Sequence, residues 1–249
     1  MKRELDISTM IYVPNRKVYG FIILMKNYPG VLAEVSKVLS EYNVNILKLF
    51  ATSNPEVADG IFFCDLTESN VDLDELKSSL ESLDEVIEVK IIKPIIPGLV
   101  IDNLHFPLLL YKIRCVILIE DILREMVKGM RSEWGSAAEA FLYYLGVRIG
   151  RTFYKAHMKN LDFCIAALKS TGIGDFKINI DYEKGMGEVT VKDSIECSIG
   201  IKSDKPFSHL IRGVIAGIAM EVIGAEVEVI ETKCVAKGDE YCVFQIKKK

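Results

Sequence analysis

Apolar and polar positions alternate along the first ninety residues in a way that switches repeatedly between strand and helix periods. Tyr19–Lys26 is a continuous apolar, β-prone run and predicts a strand. Pro29-Gly30 then opens a helix in which Val31, Leu32, Val35, Val38 and Leu39 recur at helical spacing through Tyr42. Asn45–Thr52 returns to strand, Pro55–Gly60 carries turn chemistry, and Ile61–Leu66 is a third strand. Asn70 or Asp72 can cap a second helix with Leu73, Leu76, Leu80 and Leu83 apolar. In Glu85–Lys93, Ile87, Val89 and Ile91 alternate with Val86, Glu88 and Lys90, the signature of a half-buried strand. The order β-α-β-β-α-β is that of a ferredoxin-like split βαβ sandwich.

The pattern breaks at Lys93-Pro94-Ile95-Ile96-Pro97-Gly98, where two prolines and a glycine can continue neither a helix nor a central strand. A domain boundary is expected there, dividing the chain into 1–97 and 98–249. Beyond it, Leu108–Ile119 reads as strand material, with a hairpin break near Lys112. Glu120–Ser132 is a helix with Ile122, Leu123, Met126 and Val127 on one side, and a long helix follows over Ser136–His157. Asn160–Thr171 is another helix, stopped by Gly172 and Gly174. Asp175–Asp181, Gly187–Lys192 and Ser194–Ile201 read as three strands. Pro206 introduces a helix over Phe207–Ile223. The strands Ala225–Glu231 and Glu240–Lys247 then flank a Gly238-Asp239 turn. The whole predicts an α+β protein whose second half packs helices on an antiparallel sheet.

Composition narrows the function classes. Half of the 249 residues are hydrophobic and 27% are charged, enough to bury a sizeable core. The net charge of -4 is unevenly shared. Residues 1–97 carry 10 Lys and Arg against 15 Asp and Glu, and the remainder 21 against 20. No basic stripe supports direct nucleic-acid binding. No apolar run approaches the roughly 18 residues needed to span a bilayer, and no apolar segment follows the basic N-terminal residues. A cytoplasmic protein without a membrane partner is expected. A single glutamine, Gln245, among abundant Lys, Glu and Ile points to a thermophilic source. A phosphate-binding loop, a dinucleotide fingerprint and a nucleophile elbow are all missing, so no catalytic residue is assigned and a non-enzymatic binding role is expected.

Lys26-Asn27-Tyr28-Pro29-Gly30-Val31-Leu32, followed by an amphipathic helix ending in Tyr42-Asn43-Val44-Asn45-Ile46, resembles an ACT domain over about residues 17–94. The family commonly has Asp before its Pro-Gly step, where this chain has Asn27-Tyr28. The resemblance implies a small regulatory module that binds amino acids and pairs edge to edge. Independently, a helix N-terminus leaves unpaired N–H groups and a partial positive charge. A ligand carboxylate could dock on the amides of Gly30, Val31 and Leu32, flanked by Asn27, Tyr28 and Asn45. The alternative is that Pro29-Gly30 only makes a tight strand–helix turn.

Pro206, the helix bearing Gly213 and Gly217 and ended by Gly224, and Glu231-Thr232-Lys233-Cys234…Gly238-Asp239-Glu240-Tyr241-Cys242 together resemble the 4-vinyl reductase domain over about residues 100–249. That family implies binding of small, often aromatic or hydrocarbon, molecules and an association with tetrapyrrole metabolism. Its candidate pocket here comprises Phe141, Tyr144, Tyr154, Phe176, Cys197 and Phe207. Gly146 and Gly150, four residues apart amid aromatics, fit either a tight helix crossing or a ligand cleft. In sensor members of the family the resemblance implies zinc held by three cysteines and a glutamate. Glu231, Cys234 and Cys242 match, and the remaining ligand falls just after the proline. Here Phe207-Ser208-His209 stands there, with Ser208 in the cysteine position and His209 as the substitute candidate. By their spacing alone, Cys234 and Cys242 fit zinc ligands, a hairpin disulfide or free thiols. The reading taken forward is a small-molecule sensor acting as a homodimer. The alternatives are an enzyme or accessory of tetrapyrrole metabolism, or an adaptor for a separate transcription factor.

Overall fold

The computed structural model describes residues 4–110, 112–200 and 203–249. It divides between Val116 and Ile117 into two compact units. The first contains β1 (Met10–Tyr12), β2 (Val18–Lys26), α1 (Val31–Glu41), β3 (Asn45–Ser53), β4 (Val57–Asp65), α2 (Leu73–Glu81), β5 (Val86–Ile92), β6 (Leu99–Ile101), β7 (Leu109–Leu110) and β8 (Ile113–Arg114). β3-β4-β2-β5 form an antiparallel sheet, the strand order of the expected βαββαβ sandwich. Period-2 alternation splits the apolar residues of the sheet between two faces. Phe21, Ile23, Phe62 and Cys64 meet Val35, Leu39, Leu76 and Leu80 from the helices. Val18, Ile22, Ile61, Phe63 and Ile92 form a second cluster on the other side with Val100.

That second cluster explains two features the pattern did not predict. β1 and β6 are three-residue strands that pair with each other, Met10 opposite Ile101. They bring Ile11 and Val13 against the second cluster. The Pro94–Gly98 segment is thus internal to the first unit, which continues to Val116. β4 also begins four residues earlier than expected, at Val57. The turn is made by Asn54, whose Oδ1 accepts from the amides of Glu56 and Val57 at 2.9 Å each. Residues 57–60 are thereby free to join the ladder. Of the two candidate caps of α2, Asp72 serves, its carboxylate accepting from the Asp74 amide at 2.8 Å. Asp72→Ala is expected to cost about 1 kcal/mol, measured as a lowered denaturant midpoint of this unit.

The second unit contains α3 (Glu120–Trp134), α4 (Ser136–Ala156), α5 (Leu161–Ser170), β9 (Asp175–Asp181), β10 (Met186–Lys192), α6 (Ile195–Ile199), α7 (His209–Ile223), β11 (Val227–Lys233) and β12 (Cys242–Lys248). Its antiparallel sheet has the order β11-β12-β10-β9. α7 is apolar nearly all round because it lies in the core, with Ile211, Ile215 and Ile218 in one cluster with Val189, Val229 and Phe244 of the sheet. Ser194–Ile201, expected as a third strand, holds the short helix α6 instead. Ile195 and Ile199 are spaced both for a strand face and for one helical turn, so five residues could not separate the two periods. Among the described residues, no helix is long and apolar enough to cross a membrane.

α4 and α7 meet backbone to backbone. A Cβ on Gly146 would lie 2.2 Å from the Leu210 carbonyl oxygen, and one on Gly150 2.2 Å from that of Val214. A Cβ on Gly213 would lie 2.1 Å from the Tyr143 carbonyl oxygen, and one on Gly217 2.2 Å from that of Val147. The four glycines are therefore a tight crossing with no space between the helices for a guest.

Candidate metal centre

β11 alternates strictly, so Val227, Val229 and Glu231 all face the core. This puts a carboxylate, 7% exposed, at the end of the buried row. Beyond β11, the chain makes a tight turn around Cys234. Its amide donates to Asp239 Oδ2 at 2.8 Å, and its carbonyl accepts from the amides of Lys237 at 2.9 Å and Asp239 at 3.2 Å. Gly238, at φ 105, reverses the chain into β12, whose first residue is Cys242. The third thiol comes from elsewhere: α6 delivers Cys197. The ligand atoms of Cys197, Glu231, Cys234 and Cys242 all lie within 4.8 Å of one another, and all four residues are buried.

Cys197 Sγ is 3.2 Å from Cys242 Sγ and 3.6 Å from Cys234 Sγ. At a Zn–S distance near 2.3 Å, tetrahedral geometry places sulfurs about 3.8 Å apart, so the set is close to closing on an ion. The backbone N–H of Phe207 points at Cys234 Sγ (3.5 Å) and that of Val235 at Cys242 Sγ (3.4 Å), donors that favour thiolates over thiols. Four acids in one buried space cannot all ionise without a cation. Burial pushes Glu231 up to about 8. Cys197 is pushed up to about 12 by its hydrogen bond with Cys234, and Cys242 rises through its bond with Cys197. Cys234 alone lies well below the usual thiol range, because Cys197 and Cys242 both hydrogen-bond to it. Three soft thiols, a carboxylate and this repulsion together fit a divalent cation. All six cysteines are free thiols.

Ser208 takes a different part from the cysteine whose position it fills. Its hydroxyl donates to Glu231 Oε1 at 2.8 Å and its amide to Oε2 at 3.2 Å. It thus holds the carboxylate from the second layer, with Cys197 Sγ 2.7 Å from its hydroxyl. His209 does not join the set. Its Nε2 lies 3.7 Å from Glu139 and its Nδ1 3.4 Å from Arg212, and burial pushes its pKa down to about 4. Behind the thiols, buried Glu196 accepts from the first amides of α7, Leu210 at 3.0 Å and Ile211 at 2.8 Å. Arg131 donates to the Phe207 carbonyl at 2.7 Å and stacks 3.7 Å from its ring centre. The start of α7 is therefore held on both sides.

The six expected pocket residues do not converge. Phe176 and Cys197 are core, with Tyr154 and Phe207 packed against the same cluster. Phe141 and Tyr144 lie exposed on α4. Nothing in the spacing singled out Cys197 as a ligand. The available signal was a buried cysteine beside Glu196, in a segment just before the proline.

In the first unit, Gly30 caps α1 at φ 101, and space around its Cα is open. Asn27 Nδ2 donates to the Asn54 carbonyl at 2.6 Å, and the Tyr28 hydroxyl to Glu85 at 2.9 Å. The Val31 amide is already bonded to the Tyr28 carbonyl, and its side chain is core. Leu32 and Asn45 are exposed.

Residues 20–85 match the ACT domain family model and residues 188–248 the 4-vinyl reductase domain model. An uncharacterized protein of Methanocaldococcus jannaschii is 32% identical over 116 residues, 45% of this chain. The chain spans 66% of that relative's length. A solved vinyl-4-reductase family protein from the same organism is 20% identical, covers 54% of this chain and 99% of its own, and superposes with a TM-score of 0.37. The phenol-responsive sensory domain of the transcription activator PoxR, solved with phenol, is 19% identical over 54% of this chain and 77% of its own, at a TM-score of 0.48. By its two family matches, the chain is an ACT domain joined to a 4-vinyl reductase domain.

Proposed function

We propose that this protein is a non-catalytic sensor of small molecules, with a zinc ion as a structural cross-link in its vinyl-reductase half and the ACT half as a second regulatory module. The observation that carries the reading is the closed donor set. Four protein ligands from α6, β11, the turn and β12 leave no position for a substrate or a reactive water, which is the pattern of structural rather than catalytic zinc. Zinc supplies here a link between α6 and the β11–β12 hairpin, and Ser208 then couples Glu231 to the start of α7. An apolar or aromatic guest is expected in the vinyl-reductase half. Because α4 and α7 close on their glycines, that guest lies outside their seam. The protein is expected to act as a homodimer.

Native mass spectrometry of the purified chain tests these points together. About one zinc per chain, a dimer mass and a retained organic compound are expected. Less than about a tenth of an equivalent of zinc removes the cross-link, since a structural site should be nearly filled. A monomer mass at all concentrations removes the dimer. Reproducible turnover of a tetrapyrrole with a redox cofactor would replace sensing by catalysis.

A further inference from the structure

The ACT half holds a cavity of about 540 Å3 that is built from the sheet and the 102–109 segment. It is lined by Ile61 and Phe50, on the side of the sheet that carries the second core cluster, and by Phe106 and Leu109. At one end it has an acidic pole. Asp102, its side chain 2% exposed, accepts from the amides of Leu104 at 3.0 Å and His105 at 3.1 Å, and from His105 Nδ1 at 2.6 Å. The other ring nitrogen, Nε2, lies 3.2 Å from Asp59 Oδ2. An imidazole between two carboxylates satisfies both contacts only when both nitrogens carry protons. The pole is then two carboxylates and one imidazolium, a net charge of −1. Asp59 Oδ1 is buried with no hydrogen-bond partner among the described residues. A buried acceptor in that condition calls for a donor from outside the protein.

We propose that this cavity is an effector site for a small primary amine carried on an aromatic or branched apolar body, its ammonium donating to Asp59. An anion would meet two carboxylates. A metal ion would find Asp102 already saturated by three donors. A neutral apolar compound would leave Asp59 Oδ1 unpaired, at a cost the amine avoids. The volume lies within the range of small-molecule pockets, and its apolar walls fit a ring or branched chain. The site uses none of the metal ligands and stands or falls separately from the sensing role of the vinyl-reductase half.

Calorimetric titration of the full, zinc-loaded chain with 2-phenylethylamine, 2-phenylethanol and 3-phenylpropanoate is the test. The amine is expected to bind at least about tenfold more tightly than the other two. Asp59→Asn is expected to erase that preference while leaving zinc content and circular dichroism unchanged. Phe106→Ala, at an exposed position, should weaken amine and alcohol alike. Amide shifts induced by the amine should centre on Asp59 and His105. Equal affinity for the three probes, a preference retained in Asp59→Asn, shifts confined to other parts of the chain, or no binding of the amine at about 10 mM each overturns the proposal.

Discussion

Replacing Cys197 with serine is expected to empty the metal centre, taking zinc from about one equivalent per chain to below about a tenth and lowering the unfolding temperature of the vinyl-reductase half by about 10 °C or more. Cys197 sits on α6, whereas the other ligands lie on β11, the Cys234 turn and β12. Losing it removes the one member of the set that ties α6 to that hairpin. Elemental analysis and a thermal scan of the same sample measure both effects. Cys164→Ser is the control, because Cys164 is equally buried but lies outside the cluster in the apolar core. It should lose stability through a buried hydroxyl yet keep its zinc. A sharper outcome follows from Ser208, whose hydroxyl lies 2.7 Å from Cys197 Sγ. The double replacement Cys197→Ser with Ser208→Cys exchanges the two side chains and should recover most of the metal. Zinc retained by Cys197→Ser alone would show that this thiol is not a ligand.

Gly213→Ala is expected to destabilise the vinyl-reductase half by about 3 kcal/mol, near the top of the usual overpacking range. The added methyl would sit 2.1 Å from the Tyr143 carbonyl oxygen, a backbone atom that moves only if α4 moves. Gly146→Ala meets the Leu210 carbonyl oxygen in the same way and should cost a similar amount. The two lie on opposite sides of one seam, so the double variant should cost less than the sum of the single ones, since helices already pushed apart accept the second methyl. Gly129→Ala supplies the contrast. Gly129 is in the middle of α3 with nothing near its would-be Cβ, and alanine there should stabilise by up to about 1 kcal/mol. Urea midpoints followed by circular dichroism separate these cases. A Gly213→Ala protein as stable as the parent would mean the crossing is looser than described.

Much of the architecture was legible because apolar periodicity is a local property. Tyr19–Lys26, the helix after Gly30 and the strand Asp175–Asp181 all stand within a residue or so of their predicted bounds. Asp72 and Asn160 cap the helices they precede, since a short polar side chain before an apolar repeat has few other uses. The misses share a cause. β1 and β6 are three residues long, and neither has a pattern until each pairs with the other across nearly ninety residues. α6 spans a single turn or so, too short for its period to declare itself.

The metal centre shows the same division between chain and fold. Glu231, Cys234 and Cys242 were readable because one hairpin carries them at fixed offsets. Cys197 and Ser208 come from separate elements, and only the packing of α6 against the start of α7 places a thiol beside the hydroxyl that replaced one. The four glycines announced a close approach, but which helices approach, and that their carbonyls leave no gap, required the tertiary fold. The amino-acid order by itself determined the two families, the element order and three of the four metal ligands, because these depend on neighbours within a few residues. The folded chain decided the fourth ligand, the closed helix seam and the Asp59–His105–Asp102 pole, because each joins groups that no sequence period connects.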